Sequence, residues 1–395
     1  MRLLHTSDWH LGRTLHGVDL GEHQASVLAQ IVAIARDRRV DAVLIAGDVY
    51  DRTVPNVDAV RLLDSTLAEL VEIAPVVLIP GNHDSATRLG FASGLLTDGL
   101  HICASVEALT RPVIIRDEHG DLAIYGMQYL EPESFRGPLA PDPKEPLPRS
   151  HQAVSQAAMD RVRADLAGRQ TNTRAVVVAH EFVTGGVPSD SERDLQVGGV
   201  DSVSSDVFGG IHYVALGHLH GPQQVRAPST ASQPAGFTGS TVIRYSGSPL
   251  RYSFSEAEQN KSVTLVEIGA KGVESIEQVD LVQPRAMARL LGPIDELLQN
   301  SENVDDWVSV TVTDPTYPDD LQARVRTHFP HVLEIKHAPP TRARDGAAAA
   351  AQRQRTPLEL MADFVEYVSG LAPDEGQTAL LTAAYEAVLA SERSE

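Results

Sequence analysis

The sequence predicts an α/β protein whose apolar strands, covered by helices, carry metal-binding residue types at their ends. Three observations lead there. The first half of the chain alternates short apolar runs with helical repeats over 22–38 and 56–73. Five apolar runs are followed at once by His, Asp or Asn. The single cysteine, Cys103, excludes an internal disulfide framework and argues against a soft-metal site.

Leu3-Leu4 and 40–46 read as buried strands, because apolar runs without polar alternation belong to sheets covered on both faces. Between them, 22–38 places Val27, Leu28, Ile31, Ile34 and Ala35 on one helical face. The helix over 56–73 aligns Val60, Leu63, Leu67 and Leu70. Pro75 stops it, and Val76-Val77-Leu78-Ile79 makes the next strand. Residues 85–96 read as a further helix. More strands are expected at 113–115, 122–126, 175–179, 213–216, 242–245 and 262–268. Six prolines within 131–148, and a Pro-, Ser-, Gly- and Gln-rich stretch at 222–240, mark surface loops.

These elements place a first domain at 1–282. A small α+β module follows at 283–340, with helices at 294–298 and 318–328 and strands at 308–313 and 332–337. Residues 341–355 are low-complexity and read as a linker. The tail, 356–395, carries two helical patterns with Pro373 and Gly376 between them. One uses Leu358, Met361, Phe364, Val365 and Val368; the other uses Leu380, Leu381, Ala384 and Leu389. Eight acids stand against one base in this tail.

At 395 residues, with 42% apolar and 22% charged residues, the composition is that of an ordinary globular protein. The net charge of −20 argues against holding nucleic acid by bulk charge alone. It leaves room for a nucleic-acid enzyme whose metals or partner supply the positive field. No apolar stretch reaches the roughly 18–20 residues of a membrane span, and the first residues lack a signal core, so a cytoplasmic protein with no membrane partner is expected. Neither GxxxxGK[ST] nor GxGxxG occurs, which argues against ATP or NAD binding by those routes.

The chemistry lies in five segments: Asp8-Trp9-His10, Gly47-Asp48-Val49-Tyr50-Asp51, Gly81-Asn82-His83-Asp84, His180-Glu181 and Gly217-His218-Leu219-His220. Taken singly, each has a plain reading. Gly-Asp before a helix is a common turn and cap. A lone His180 at a strand end is usually a satisfied core histidine. Together, the five place Asp8, His10, Asp48, Asn82, His180, His218 and His220 on one rim, because residues just past strand ends converge there. Seven candidates are too many for one tetrahedral site. A carboxylate such as Asp48 can bridge two ions roughly 3.5–4 Å apart. Two dications less these acidic ligands leave positive charge facing an anionic substrate.

These motifs resemble the calcineurin-like metallophosphoesterases, and their surroundings narrow the resemblance to the SbcD family. The supporting residues are His5-Thr6-Ser7-Asp8-Trp9-His10-Leu11-Gly12-Arg13, Gly47 to Arg52, Val183-Thr184-Gly185-Gly186 with Ser189-Asp190-Ser191-Glu192-Arg193, Val214 to His220, and Tyr245-Ser246-Gly247-Ser248-Pro249 with Tyr252-Ser253-Phe254-Ser255-Glu256. The match is strong over about 1–270. It implies a β-sandwich flanked by helices, a capping domain in the small module, and a helical tail. It implies two divalent ions, manganese or magnesium: one held by Asp8, His10, Asp48 and His220, the other by Asp48, Asn82, His180 and His218. The ions would activate water for in-line attack on a phosphodiester.

His83 is then the candidate to stabilise the phosphorus or protonate the leaving group. Asp84 is expected to orient an imidazole, His83 or His10, with a helix N-cap as its plain reading. Trp9, Arg13, His16 and Arg52 are candidate substrate contacts, with packing or solvated charge as the alternative; Asp51, Arg88 and Arg251 are weaker ones. Leu89, Phe91, Leu95 and Leu96 form a dimer face or pack on the sheet. The family's role is a 3′–5′ double-strand exonuclease and single-strand or hairpin endonuclease in DNA repair, recombination and replication. Its partner is an SbcC-type coiled-coil ATPase, expected to bind the C-terminal helices of a homodimer within a heterotetramer near the nucleoid. A small-molecule phosphodiesterase or phosphatase, and a non-catalytic DNA-end scaffold, are the alternatives.

Overall fold

The computed structural model describes residues 1–96, 99–142, 144–169, 173–192, 202–234, 237–340 and 357–392. Two six-stranded mixed sheets build the first unit, Met1–Met287. The first sheet runs, in spatial order, Gly272–Asp280, Ser262–Gly269, Arg2–Thr6, Ala42–Ala46, Val76–Ile79 and Leu100–Ile102. Its last four strands are parallel, and the Ser262–Asp280 hairpin closes the edge antiparallel. The second sheet runs Gln223–Val225, Val242–Tyr245, Tyr213–Gly217, Arg174–His180, Gly120–Met127 and Val113–Asp117, with antiparallel strands only at its two edges.

The burial pattern explains why these runs are apolar throughout. In Ala42–Ala46, Ala42, Leu44 and Ala46 point between the sheets, while Val43 and Ile45 lie under helices. Arg174–His180 does the same: Val176 and Val178 face inward, and Ala175, Val177 and Ala179 pack outward. Helices Gly21–Asp37 and Val57–Val71 cover the first sheet, and His151–Ala167 covers the second. The layers are therefore helix, sheet, sheet, helix, the expected β-sandwich flanked by helices.

Asn56 caps the second helix by accepting from Ala59 N–H at 2.7 Å. The expected helix over 85–96 is not formed as one piece. Ala86–Leu89 makes one turn capped by Ser85, Ala92 takes a left-handed φ of 59°, and Ser93–Leu95 is a single 3₁₀ turn. Gly90, without a side chain to support the repeat, ends the first turn.

The second unit, Ala288–Glu395, is built on a three-stranded sheet of Met287–Gly292, whose first residue ends the first unit, Trp307–Val312 and Val332–His337, with helices Ile294–Leu297 and Leu321–His328. Val308, Val310, Val312, Leu321, Val325 and Phe329 fill its core. The tail forms helices Pro357–Ser369 and Glu375–Glu392. Gly376 falls inside the second of these rather than between them. The expected linker 341–355 and Arg193 lie outside the described residues. No helix among the described residues is long and apolar enough to cross a membrane.

Candidate metal centre

All seven expected ligands meet where strands of the two sheets end. Asp8 and His10 follow Arg2–Thr6, Asp48 follows Ala42–Ala46, and Asn82 follows Val76–Ile79. His180 ends its strand, and His218 and His220 follow Tyr213–Gly217. Hydrogen bonds stitch the loops together. Asp8 N–H donates to Gly47 O at 3.0 Å and His10 N–H to Asp48 O at 2.9 Å. His218 N–H donates to the Asp8 carboxylate at 3.0 Å, and His83 N–H to Asp48 Oδ1 at 2.9 Å.

The backbone is strained where the expected ligands sit. Asp8, His10, Asp48 and His218 have φ values of 55°, 45°, 49° and 108°, in the region non-glycine residues rarely occupy. The glycines beside them serve two purposes. Gly47 supplies a turn with φ of 84°. Gly81 and Gly217 are needed for close approach instead. A Cβ on Gly81 would lie 2.9 Å from Asp48 Cγ, and one on Gly217 would lie 2.8 Å from His180 Nδ1.

The donor atoms form two adjoining groups. Asn82 Oδ1, His180 Nε2 and His218 Nδ1 are mutually 2.9–3.2 Å apart. His10 Nε2 and His220 Nε2 are 3.0 Å apart, and together with Asp8 they form a compact ligand triad. Asp48 Oδ2 lies between, 3.6 Å from His10 Nε2 and 3.5 Å from His180 Nε2. This is the placement a bridging carboxylate needs.

The chemistry of the donors fits divalent cations. His180 donates Nδ1–H to Ala46 O at 2.8 Å, so in the neutral ring Nε2 is a lone pair facing the Asn82 amide oxygen, another acceptor. Acceptors converge in this way around a cation. Among the described residues His10 Nδ1 and His218 Nε2 are buried with no hydrogen-bond partner, and the other nitrogen of each ring faces the cluster. Without metal, a proton stands in part for the cation. Burial alone would lower His180, but Asp48 beside it raises it to about 9. Burial would raise Asp48, yet His180, His10 and His83 hold it well below the carboxylate range. Burial carries Asp8 up to about 6. His10 and His218 are pushed well down, chiefly by burial, and offer neutral imidazoles.

His83 lies at the edge of this cluster. Its Nδ1–H donates to Asp51 O at 2.8 Å, its ring meets His10 edge-on at 4.6 Å, and Nε2 is 3.9 Å from Asp48 Oδ2. Asp84 takes a different part from the expected one. Its carboxylate accepts N–H groups of Val49 at 3.1 Å, Tyr50 at 2.9 Å and Gly81 at 2.9 Å. It therefore clamps the Asp48 loop to the Asn82 loop, and Ser85 provides the helix cap.

Trp9 is 1% exposed, donates to Thr6 Oγ1 at 2.9 Å and packs with the core, so it meets no substrate. Arg13 braces the site: it donates to Ser191 O at 3.0 Å, lies 3.4 Å from Asp51 and stacks over Tyr252 at 5.1 Å. His16 and Arg52 are exposed, as substrate contacts need to be. Arg88 is exposed, and Arg251 is held by Gln259 O at 2.9 Å.

Sequence reasoning assigned no role to several residues behind the ligands. Gln24 is buried in the first helix and donates to His10 O at 2.7 Å. Tyr252 donates to Trp9 O and stacks against His10 and His220. Ser191, Glu192, Glu256 and Lys261 surround His220. Three of these four lie in the Ser-rich motifs noted above; Lys261 carries no local signal.

Residues 1–222 match the calcineurin-like phosphoesterase family, and 283–369 match a family described as the type 5 capsule protein repressor C-terminal domain. The SbcD subunit of the SbcCD nuclease of Bacillus subtilis is 36% identical over 274 residues, 68% of this chain and 66% of that protein. The chain thus spans just under two thirds of that relative. The protein of the same name from Staphylococcus saprophyticus is 30% identical over 344 residues, 85% of this chain and 84% of that protein. A dimetal phosphatase from Danio rerio aligns with 72% of this chain and 99% of its own at 12% identity, with a TM-score of 0.42.

Proposed function

The chain belongs to the SbcD family of calcineurin-like phosphoesterases, and on that premise we propose that it is a metal-dependent DNA nuclease cutting phosphodiesters at ends and hairpins. The observation that carries this reading is the cluster of seven donors, all buried but the half-buried Asn82, with Asp48 Oδ2 between its halves. Asp8, His10, Asp48 and His220 would hold one ion, and Asp48, Asn82, His180 and His218 the other. The His and carboxylate donors suit manganese, with magnesium as the harder alternative. Bound there, the ions supply Lewis acidity and a nucleophile from water at neutral pH.

The protein's own residues do the rest. Asp8 and Asp48 balance the positive charge. His180, tied to Ala46 O, keeps its Nε2 aimed at the cluster. His83 is fixed through Nδ1 by the Asp51 carbonyl, which places Nε2 on the cluster side to hold or deliver a proton. His16 and Arg52 are exposed to meet the DNA backbone.

The module at 283–340 would select DNA structure. In the tail, Leu360, Phe364, Tyr367, Val368, Leu371 and Leu380 are exposed apolar residues, suited to helix-in-groove binding of an SbcC-type coiled-coil ATPase. Val54, Val57, Phe91 and Leu95 are 63–83% exposed beside a groove of about 400 Å³ lined by Pro55, Leu63, Leu67 and Leu89. That patch suits a homodimer contact, giving a heterotetramer with the ATPase. We place the assembly in the cytoplasm, at the nucleoid.

The test is cleavage of end-labelled linear DNA in manganese beside Asp48→Ala. Cleavage by the wild type and none by the variant supports the reading; cleavage by both refutes it. The net charge of −20 favours one other reading, a small-substrate phosphodiesterase. Hydrolysis of bis(p-nitrophenyl) phosphate without DNA cleavage, even with the ATPase present, would select it.

A further inference from the structure

His220 is gripped at three points from behind. Its ring Nδ1 is 2.6 Å from Ser191 Oγ, its N–H donates to Glu192 Oε1 at 2.7 Å, and its carbonyl accepts from Lys261 Nζ at 2.9 Å. Ser191 and Lys261 also meet at Glu256. Ser191 Oγ donates to Glu256 Oε1, and Lys261 Nζ to Glu256 Oε2. Lys261 further donates to Ser248 Oγ at 2.9 Å and Gln259 Oε1 at 2.9 Å. Glu256 is 0% exposed, Lys261 1% and Ser191 7%.

The direction of each bond follows from the donors available. Glu256 faces the Lys261 ammonium, with Oε2 2.5 Å from Nζ, and pairs with it as a carboxylate. It can therefore only accept. Ser191 has one hydroxyl proton and gives it to Glu256, so it accepts from His220 Nδ1–H. That choice of tautomer leaves the lone pair on Nε2, the nitrogen 3.0 Å from His10 Nε2 in the ligand cluster.

A buried Lys–Glu pair is a costly way to stabilise a fold, because desolvation offsets much of its attraction. Here it does something an apolar pair cannot. Its carboxylate sets the serine proton, and its ammonium holds the backbone of the same histidine. His10 and His218 lack this device at the ring: among the described residues His10 Nδ1 and His218 Nε2 have no hydrogen-bond partner, and Gln24 holds only the His10 carbonyl.

We propose that Ser191, Glu256 and Lys261 form a positioning chain that fixes the tautomer and orientation of His220 for metal binding. This rests on the reading of His220 as a ligand. The test is calorimetric titration of the whole chain with Mn²⁺, alongside thermal melts in EDTA and DNA cleavage across manganese concentrations. His220→Ala should lose one of two binding events. Ser191→Ala should keep both, with one weakened about 10–100-fold, the usual effect of losing such support. Its kcat should recover when manganese is raised, its EDTA melt should stay near wild type, and Ser191→Thr should restore affinity. Glu256→Gln should weaken the same event.

Unchanged stoichiometry in His220→Ala would overturn the ligand reading. Loss of one event in His220→Ala with wild-type affinity in Ser191→Ala would overturn the positioning chain alone. Should Glu256→Gln fail to fold, the two serine variants still decide.

Discussion

Gly81→Ala is the most economical way to disturb the metal centre, because a methyl there meets Asp48 directly. An alanine Cβ would stand 2.9 Å from Asp48 Cγ and closer still to Asp48 N and Oδ1. Ordinary carbon contacts lie at about 3.5–4.0 Å, so one of the two loops must retreat by about half an ångström or more. Neither can do so freely. Asp84 ties Gly81 to Val49 and Tyr50, and His83 N–H holds Asp48 Oδ1. Gly81 does not need a positive φ, so the cost is steric rather than conformational. Overpacking of this kind costs about 1–3 kcal/mol.

The larger effect falls on chemistry, since a displacement near 1 Å costs about a hundredfold in rate. DNA cleavage should drop about 10–100-fold, with weaker Mn²⁺ binding by calorimetry. Gly137→Ala, where a Cβ meets nothing within 4 Å, is the control and should match wild type. If Gly81→Ala binds and cleaves like wild type, the close approach of the two loops does not hold Asp48 in place.

Other outcomes follow from groups already described. His5 is fully buried, accepting from Tyr213 Oη–H through Nδ1 and donating to Leu216 O through Nε2–H. Burial pushes its pKa down to about 3. The unfolded chain therefore binds a proton the fold refuses, and stability is lost as pH falls from about 6.5 toward 3, by up to ~1.4 kcal/mol per unit. Urea unfolding in EDTA at pH 6.5, 5.5 and 4.5 should show a shallower loss in His5→Gln; equal slopes would contradict this. Manganese binding at pH 7.5 should release protons, because His180, raised to about 9, must give up its own to become a ligand. Titrations in buffers of different ionisation enthalpy measure the number, and zero release would refute the assignment. Phe91→Glu with Leu95→Glu should dissociate the proposed homodimer in sedimentation while leaving the melting temperature unchanged.

The individual elements differ in how visible they were in the sequence. Runs such as Ala42–Ala46 and Val76–Ile79 are apolar at every position because both faces are covered, so they stand out without any structure. The helix His151–Ala167 does not, because its buried face includes Ser155, Ala158 and His151, which no apolar period marks. The strand Gly272–Asp280 is likewise mostly solvated, and only its pairing with Ser262–Gly269 makes it a strand.

The seven donors were legible because each lies at a strand end or within four residues past one, and strand ends of one layer structure converge. What surrounds them was not legible. Asp84 looked like an orienter of imidazole, and only the folded loops show three N–H groups converging on it. For Trp9 the sequence left substrate contact and packing both open, and the fold packs it in the core. Lys261 lies 41 positions from His220 and carries no motif, yet it reaches that residue's carbonyl. The donor types and the strands that present them can be read from local composition, which encodes both. The tertiary structure alone decided which groups stand behind the donors, because those contacts join residues far apart in the chain.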